Sequence, residues 1–128
     1  MIGVAQTSAV ALLSELAVLP RHLSSRACVC QAGLDVRLHQ SGSSVHKAPR
    51  ISKHGNKYLR RALFHPALTA GQHDPHARAF RQRLLDRGKK KMQANVAIMR
   101  KMLTAPWALI RHPDVYDGSK LYRCCENA

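Results

Sequence analysis

The chain has 128 residues, which is enough for one compact domain with its own core and hardly enough for two. Its 21 lysines and arginines against 7 aspartates and glutamates give a formal net charge of +14, which favours nucleic acid as a partner over an anionic membrane surface. Its four cysteines lack the spacing of a secreted disulfide framework and no apolar run could cross a bilayer, so we expect a cytoplasmic chain with reduced thiols.

The N-terminal segment predicts a core helix rather than a signal peptide. It is apolar from Val4 to Leu19, but no basic stretch precedes it and Glu15 interrupts it. Thr7 or Ser8 is placed to cap this helix, and Pro20 to end it. An apolar helix at the start of a chain needs an earlier partner to cover it. We therefore expect an exposed apolar patch here and a chain truncated on its N-terminal side.

A short helix and a β-hairpin are predicted next. Ser24 or Ser25 is placed to open the helix, and Gly33 to close it. Residues 34–51 then contain two segments of alternating apolar and polar side chains, joined by the turn Ser41-Gly42-Ser43-Ser44. This pattern is typical of a short antiparallel hairpin.

Three further helices follow from apolar residues that recur at intervals of three and four. The first begins at Asn56 and ends before Gly71, and the second begins at the Asp74-Pro75 pair and ends at Gly88. The last helix is long, and its predicted apolar stripe consists of Met92, Val96, Met99, Leu103, Trp107 and Ile110.

Together these elements predict a mainly α fold, with about five helices around one core and a short β-hairpin that presents Ser41. Pro66 and Pro106 lie within two of the helices and are expected to kink them. We assign residues 1–117 to this domain and residues 118–128, whose composition is irregular, to a tail.

The middle of the chain is strongly basic. No acidic residue occurs between Asp35 and Asp74. The basic residues in that interval are Arg37, Lys47, Arg50, Lys53, Lys57, Arg60 and Arg61. Cations that pair with phosphates release counterions, so such a cluster gives sequence-independent affinity that falls with salt. We therefore favour contact with nucleic acid over a merely solvated basic face.

Three neighbouring motifs carry a resemblance to a known family. They are Ala32-Gly33-Leu34-Asp35, Gln40-Ser41-Gly42-Ser43-Ser44-Val45 and Arg50-Ile51-Ser52-Lys53-His54-Gly55-Asn56-Lys57-Tyr58-Leu59-Arg60. With the N-terminal turn and the His73-Asp74-Pro75-His76 segment, they resemble the C-terminal domain of bacterial insertion-sequence transposases of the IS110 family, also called IS116 or IS902. The similarity covers about residues 2–117.

The resemblance implies a part in DNA transposition. In that family the complete enzyme joins this domain to an N-terminal RuvC-like domain that holds magnesium, and it uses a structured guide RNA, the bridge RNA, to pair donor and target DNA. Ser41 corresponds to the family's nucleophile, which attacks a DNA phosphodiester and holds one end as phosphoserine. Judged by residue type alone, a serine in a polar turn is more often a turn residue.

The partners implied are DNA, a structured guide RNA, the RuvC-like domain and, in the complete protein, further copies in a homo-oligomer. We expect no cofactor in this chain, magnesium in the missing N-terminal domain, and therefore an isolated chain that is inactive. The expected location is the cytoplasm, in association with the nucleoid.

Backbone contacts to nucleic acid are assigned from the motifs together with the basic segment. The residues assigned to them are Gly42, Lys47, Arg50, Lys53, His54, Asn56, Lys57, Arg60 and Arg61. For Asn56 an ordinary helix cap is an equal alternative, and the two roles are compatible. The turn from Ile2 to Thr7 resembles the hairpin of a partial helix-hairpin-helix, with Ala5 where a second glycine is usual and without the first helix.

Other interpretations remain open. A non-catalytic module that binds DNA or RNA, such as a decayed transposase, is a serious rival because the seven acidic residues form no convergent metal site. A basic ribosomal or RNA-chaperone protein is a third. Zinc at Cys28 and Cys30, or at His73 and His76, is disfavoured because neither pair has a partner pair at ligand spacing.

Overall fold

The computed structural model describes residues 1–37 and 49–123, and the backbone of residues 40–41 and 45–46. Within these residues the helices are α1 (Gln6–Ala17), α2 (Ser25–Gln31), α3 (Lys57–His73), α4 (Pro75–Asp86), α5 (Lys91–Arg111) and α6 (Gly118–Leu121). The strands are β1 (Val36–Arg37), β2 (Gln40–Ser41), β3 (Val45–His46) and β4 (Arg50–Ile51). The predicted mainly α fold with a short hairpin is confirmed.

Helix α3 lies at the centre of the fold, because it packs against α1, α4 and α5. Its buried face, spaced at intervals of three and four, consists of Leu59, Leu63, Pro66, Ala67, Ala70 and Gly71. Gly71 thus lies inside α3, whereas the sequence pattern predicted that it follows the helix. A Cβ added at Gly71 would lie 3.3 Å from both Arg81 Cδ and Ile98 Cδ1. The missing side chain therefore lets α4 and α5 approach α3 closely.

Helix α5 extends along the core from one end to the other. Its first half lies near the C-terminal end of α3, where Ile98 approaches Gly71. Its second half lies against α2, and Trp107 Nε1–H donates to the carbonyl of Leu23 at 3.0 Å. Because Trp107 is fully buried, this hydrogen bond satisfies an indole donor that water does not reach.

The predicted stripe of α5 is confirmed in part. Met99, Leu103 and Trp107 are buried, whereas Met92 is 56% exposed. Met92 is the second residue of the helix, and the first turn extends past the core. The remaining buried positions of α5 are Ala94, Asn95, Ile98 and Met102. Pro66 and Pro106 both lie inside their helices and end neither.

Three predicted N-caps are confirmed. Ser24 Oγ accepts from the N–H of Ala27 at 3.1 Å, and Asp74 Oδ1 accepts from the N–H of His76 at 2.9 Å. Asn56 Oδ1 caps α3 in the same way. At the other ends of α2 and α4, Gly33 and Gly88 have φ of 66° and 80°, which is the left-handed conformation of a glycine that follows a helix.

Helix α1 begins earlier than predicted. Gln6 is its first residue and Ala5 its N-cap, which makes no side-chain cap, so Thr7 and Ser8 are not the caps. The helix buries Leu12 and Leu16 in the core. The apolar residues that it and its flanks leave exposed are Met1, Ile2, Val10, Leu13 and Val18. Exposed apolar side chains are thus present near the first helix, and their joining into one patch stays a prediction.

The prediction of an irregular tail from residue 118 is wrong for the part that the structure describes. Gly118–Leu121 form a helical turn, and Asp117 Oδ1 caps it by accepting from the N–H of Ser119. Tyr122 is 2% exposed and packs on Phe80, with ring centroids 6.0 Å apart. Burial raises the pKa of the Tyr122 hydroxyl above its ordinary value. The segment returns to the core because Tyr122 buries a large ring there.

Candidate nucleic-acid interface

The hairpin that carries Ser41 is formed by two antiparallel strand pairs. The pairs are β1 with β4, through Val36–Ile51 and Arg37–Arg50, and β2 with β3, through Gln40–His46 and Ser41–Val45. Ser41 therefore belongs to strand β2, which corrects its predicted place in the turn. A chain spans at most about 3.6 Å per residue, so the Cα of Ser41 lies within roughly 14 Å of that of Arg37. Gly42 and Lys47 lie outside the described residues.

The loop that joins β4 to α3, residues 52–56, is anchored on the end of α2 and is here named the anchoring loop. Its backbone donors are Ser52 N–H to Asp35 O at 2.8 Å, Lys53 N–H to Gly33 O at 3.1 Å and Asn56 N–H to Gln31 O at 2.7 Å. Ser52 Oγ also donates to the Asp35 carboxylate. These hydrogen bonds hold the base of the hairpin in a defined position on the helices.

Two glycines make this close approach possible. Gly55 has φ of 117°, and a Cβ there would overlap the carbonyl oxygen of Gln31. A Cβ at Gly33 would lie 2.5 Å from the carbonyl oxygen of His54. Lys53, two residues before Gly55 in the anchoring loop, has φ of 53°. This left-handed conformation costs energy for a residue with a side chain. The hydrogen bonds of the loop hold Lys53 in this conformation.

Asn56 is engaged within the fold. Its Oδ1 accepts from the N–H groups of Tyr58 at 2.8 Å and Leu59 at 3.2 Å, and its Nδ2 donates to Glu15 Oε2 on α1. The cap alternative for Asn56 is therefore confirmed. The contact with Glu15 also fixes the first turn of α3 against α1.

Arg60 likewise makes a structural contact, because its Nη1 donates to the carbonyl of Ala32 at 2.9 Å and joins α3 to the end of α2. It is half-buried, unlike the lysines and other arginines of the segment that the structure describes. A phosphate contact by Arg60 stays a prediction.

Six exposed basic residues on strands β1 and β4, the anchoring loop and the first turns of α3 are here named the basic surface. They are Arg37, Arg50, Lys53, His54, Lys57 and Arg61. Within the described part of the chain none of them forms an ion pair; the pair found there joins Lys120 and Asp117, 3.7 Å apart. Charges that no carboxylate neutralises remain available to phosphates.

The acidic side chains near this surface are already used. Glu15 accepts from Asn56, and Asp35 accepts from Ser52. Across residues 1–37 and 49–123 no three histidine, cysteine, aspartate or glutamate side chains are grouped to bind a metal. The resemblance implies magnesium in the family's N-terminal domain, and that expectation stays a prediction.

The two cysteines considered for zinc are separated by burial. Cys28 is fully buried, and burial raises the pKa of its thiol to about 11, whereas Cys30 is exposed. A thiol whose ionisation is disfavoured by apolar burial is less reactive than an exposed one. The two sulfurs do not converge on one site.

A groove of about 390 Å³ lies between α1 and the first turns of α3. Its lining consists of Thr7, Ser8, Ala11, Ser14, Glu15, Tyr58, Arg61 and Ala62. Tyr58 is 57% exposed, and Lys57 Nζ lies 5.2 Å from its ring centroid. Tyr58 was not predicted to contact nucleic acid, although an aromatic residue next to Lys57 in a basic segment is a signal for such a contact.

The N-terminal turn packs on α3. Gly3 has φ of 91°, and a Cβ there would lie 2.5 Å from Pro66 O and 2.9 Å from Ala70 N. Close packing is thus a sufficient reason for this glycine. The helix-hairpin-helix interpretation of the turn stays a prediction.

Comparison with known proteins identifies relatives of the chain. Residues 1–82 match the model of the Transposase IS116/IS110/IS902 family. The chain is 43% identical over 99 residues to the pilin gene-inverting proteins of Moraxella lacunata and Moraxella bovis, an alignment that covers 76% of the chain and 29% of each relative. It is 34% identical over 89 residues to the insertion element IS110 uncharacterized 43.6 kDa protein of Streptomyces coelicolor, covering 68% of the chain and 21% of that protein. The chain thus spans less than a third of the length of these relatives.

Proposed function

The chain belongs to the Transposase IS116/IS110/IS902 family, and on this premise we propose that it supplies a serine nucleophile and nucleic-acid backbone contacts to DNA strand exchange. The observation that carries the proposal is the position of Ser41. It lies in a hairpin whose base is held by the anchoring loop against the end of α2 and the residues after it. The basic surface next to this loop in the chain forms no ion pair within the described residues. The relatives named for pilin gene inversion support a reaction that rearranges DNA.

The proposed chemistry is a transesterification at phosphorus. Ser41 Oγ attacks a DNA phosphodiester, an Oγ–P bond forms, and the bridging P–O bond to the leaving strand breaks. The leaving oxygen takes a proton as the serine hydroxyl loses one. One phosphate ester replaces another, so the strand end held on Ser41 can be rejoined without an external energy source.

The basic surface is proposed to hold the DNA backbone near the hairpin. Phosphate contacts fix the register and orientation of a strand without reading its sequence. Lys53, His54 and Lys57 precede or open α3, where the positive end of the helix dipole also favours a phosphate. Arg50 and Arg61 extend this surface on either side, and Gly42 and Lys47 are proposed to add contacts from the hairpin.

Further partners are proposed from the family. A RuvC-like domain outside the described residues would hold the magnesium, a structured guide RNA would pair the DNA strands, and the complete protein would act as a homo-oligomer at the nucleoid. The isolated chain would then bind nucleic acid without breaking it. Among the described residues no helix has both the length and the apolarity that spanning a bilayer demands.

A second candidate is a non-catalytic nucleic-acid-binding module. It is favoured by one observation: the carboxylates closest to the basic surface, Glu15 and Asp35, are engaged in hydrogen bonds, and the described residues lack a metal cluster. This candidate predicts that the chain binds DNA but forms no covalent adduct with it, even when the metal-binding domain is supplied.

The test is recombination by a full-length assembly that contains Ser41→Ala. We expect recombination to be lost while binding of the same DNA is unchanged, because the substitution removes one hydroxyl. Ser43→Ala is the matched control and should recombine like the unmodified assembly. Recombination by Ser41→Ala at the control rate would refute the nucleophile assignment and leave the binding module.

A further inference from the structure

We infer that the groove between α1 and α3 holds an unpaired base of a DNA strand, stacked on Tyr58. The inference rests on the proposed function and deepens it, because it names the form of DNA that this surface recognises. It concerns binding in the groove and is independent of whether Ser41 acts as a nucleophile.

Tyr58 has the position and exposure of a stacking platform. It is the second residue of α3, and its backbone N–H is held by the cap of Asn56 at 2.8 Å. More than half of the residue faces solvent although α3 buries several smaller apolar residues. An exposed aromatic ring on a basic surface offers a π-face on which any base can stack.

The cations beside Tyr58 match the backbone of a strand whose base lies in the groove. Lys57 Nζ is 5.2 Å from the ring centroid, and Arg61 lines the groove one helical turn further along α3. Residues four apart share one face of a helix, so Lys57 and Arg61 flank the ring along α3. A phosphate on each side of the stacked nucleotide would meet one of them.

The α1 side of the groove supplies polar groups for the edge of a base. Thr7, Ser8 and Ser14 bring hydroxyl groups, and Glu15 brings a carboxylate. Glu15 Oε2 accepts from Asn56, and in the described part of the chain Oε1 accepts from no other residue. Oε1 is therefore placed to accept from an N–H donor on a base edge. A volume of about 390 Å³ is within the range of small-molecule sites.

A base that is paired and stacked within a duplex cannot lay its face on Tyr58. The groove therefore distinguishes unpaired from paired DNA, whereas the basic surface binds both through their phosphates. Strand exchange separates paired strands, so unpaired bases arise where the reaction takes place. A site for one of them beside the anchored hairpin would hold the reacting strand open.

The experiment compares the binding of two DNA probes to the whole chain by fluorescence anisotropy at one salt concentration. The probes are a blunt duplex and the same duplex with a single-stranded overhang. We expect Tyr58→Ala to weaken binding of the overhang probe about tenfold and to leave the blunt duplex unchanged, because one stacked base is lost. Tyr58→Phe keeps the ring and should bind both probes like the unmodified chain. Met92→Ala, which truncates a side chain of similar exposure on α5, is the matched control.

Three results would overturn the inference. One is an equal loss for both probes with Tyr58→Ala, which would place the ring among the general phosphate contacts. Another comes from a third probe, the same duplex with an RNA overhang: a loss seen only with that probe would contradict the choice of DNA. The third is no loss at all. If the unmodified chain bound neither probe, the proposed function would fail as well; recombination by Ser41→Ala would remove the nucleophile alone and leave this site standing.

Discussion

Asn56 connects two helices with one side chain. Its Oδ1 caps the first turn of α3, and its Nδ2 donates to Glu15 on α1. Lys57, Tyr58 and Arg61 all lie in the first two turns of α3, so their positions depend on this cap. At the scale of single residues, a structural contact of Asn56 thus orients the side chains that we propose to meet DNA.

Replacing Asn56 with alanine should destabilise the fold by roughly 1–2 kcal/mol, because the cap and the partner of Glu15 are both lost. Asn56→Asp is the sharper variant, since it keeps the cap acceptor and places a second carboxylate against Glu15. We expect its urea midpoint to be low at neutral pH and to approach that of the unmodified chain in acid, where protonation relieves the repulsion. An Asn56→Asp chain as stable as the unmodified one at neutral pH would contradict this contact.

The anchoring loop is the element on which the site depends. It joins the hairpin to α3 and donates three backbone hydrogen bonds, one to the last residue of α2 and two to the segment between α2 and β1. Gly55 is required because its conformation is left-handed and because the carbonyl of Gln31 occupies the place of a side chain. The loop consequently fixes the base of the hairpin relative to α2.

Gly55→Ala should therefore lower the free energy of unfolding by more than the strain of a left-handed conformation alone. Gly88 is the matched control, because it has φ of 80° and a Cβ there would have no atom within 4 Å. We expect Gly88→Ala to lose about 1 kcal/mol of unfolding free energy and Gly55→Ala at least ~3 kcal/mol, because it adds a steric clash. Chemical denaturation measures both, and equal losses would show that the loop can move away from α2.

Local chemistry explains which elements could be predicted from sequence. Ser24, Asn56 and Asp74 were predicted as caps because a cap depends on residues two or three positions away. The burial of Tyr122 on Phe80 and the exposure of Met92 depend on contacts far apart in sequence, and periodicity carries no information about them. The groove beside Tyr58 could not be predicted for the same reason, since α1 completes it.

At the scale of the whole molecule, exposed basic residues are concentrated where we propose that DNA binds. The chain carries a net charge of +14, and its basic surface lies at the end of the fold where the hairpin, α2 and the start of α3 meet. Other lysines lie elsewhere in the chain, among them the exposed Lys89 between α4 and α5. The proposed DNA surface thus contains only part of the net charge.

This distribution predicts a difference in salt dependence. Arg61→Ala should reduce the slope of log affinity against log salt for duplex DNA by about 1, because one phosphate contact is lost. Lys89→Ala, which removes the same charge from an exposed position, should leave the slope unchanged. Titrations at several salt concentrations measure both slopes, and equal reductions would show that binding depends on net charge and not on this surface.

Covalent trapping on nicked DNA is the direct test of our proposal that Ser41 becomes joined to DNA. The chain is incubated with the nicked DNA while the metal-binding domain of the family is supplied separately, and adducts that resist denaturant are mapped by mass spectrometry. We expect an adduct through a phosphate on Ser41 and none with Ser41→Ala. An adduct that persists in Ser41→Ala, or unmodified chain that binds the DNA and forms no adduct, would contradict it.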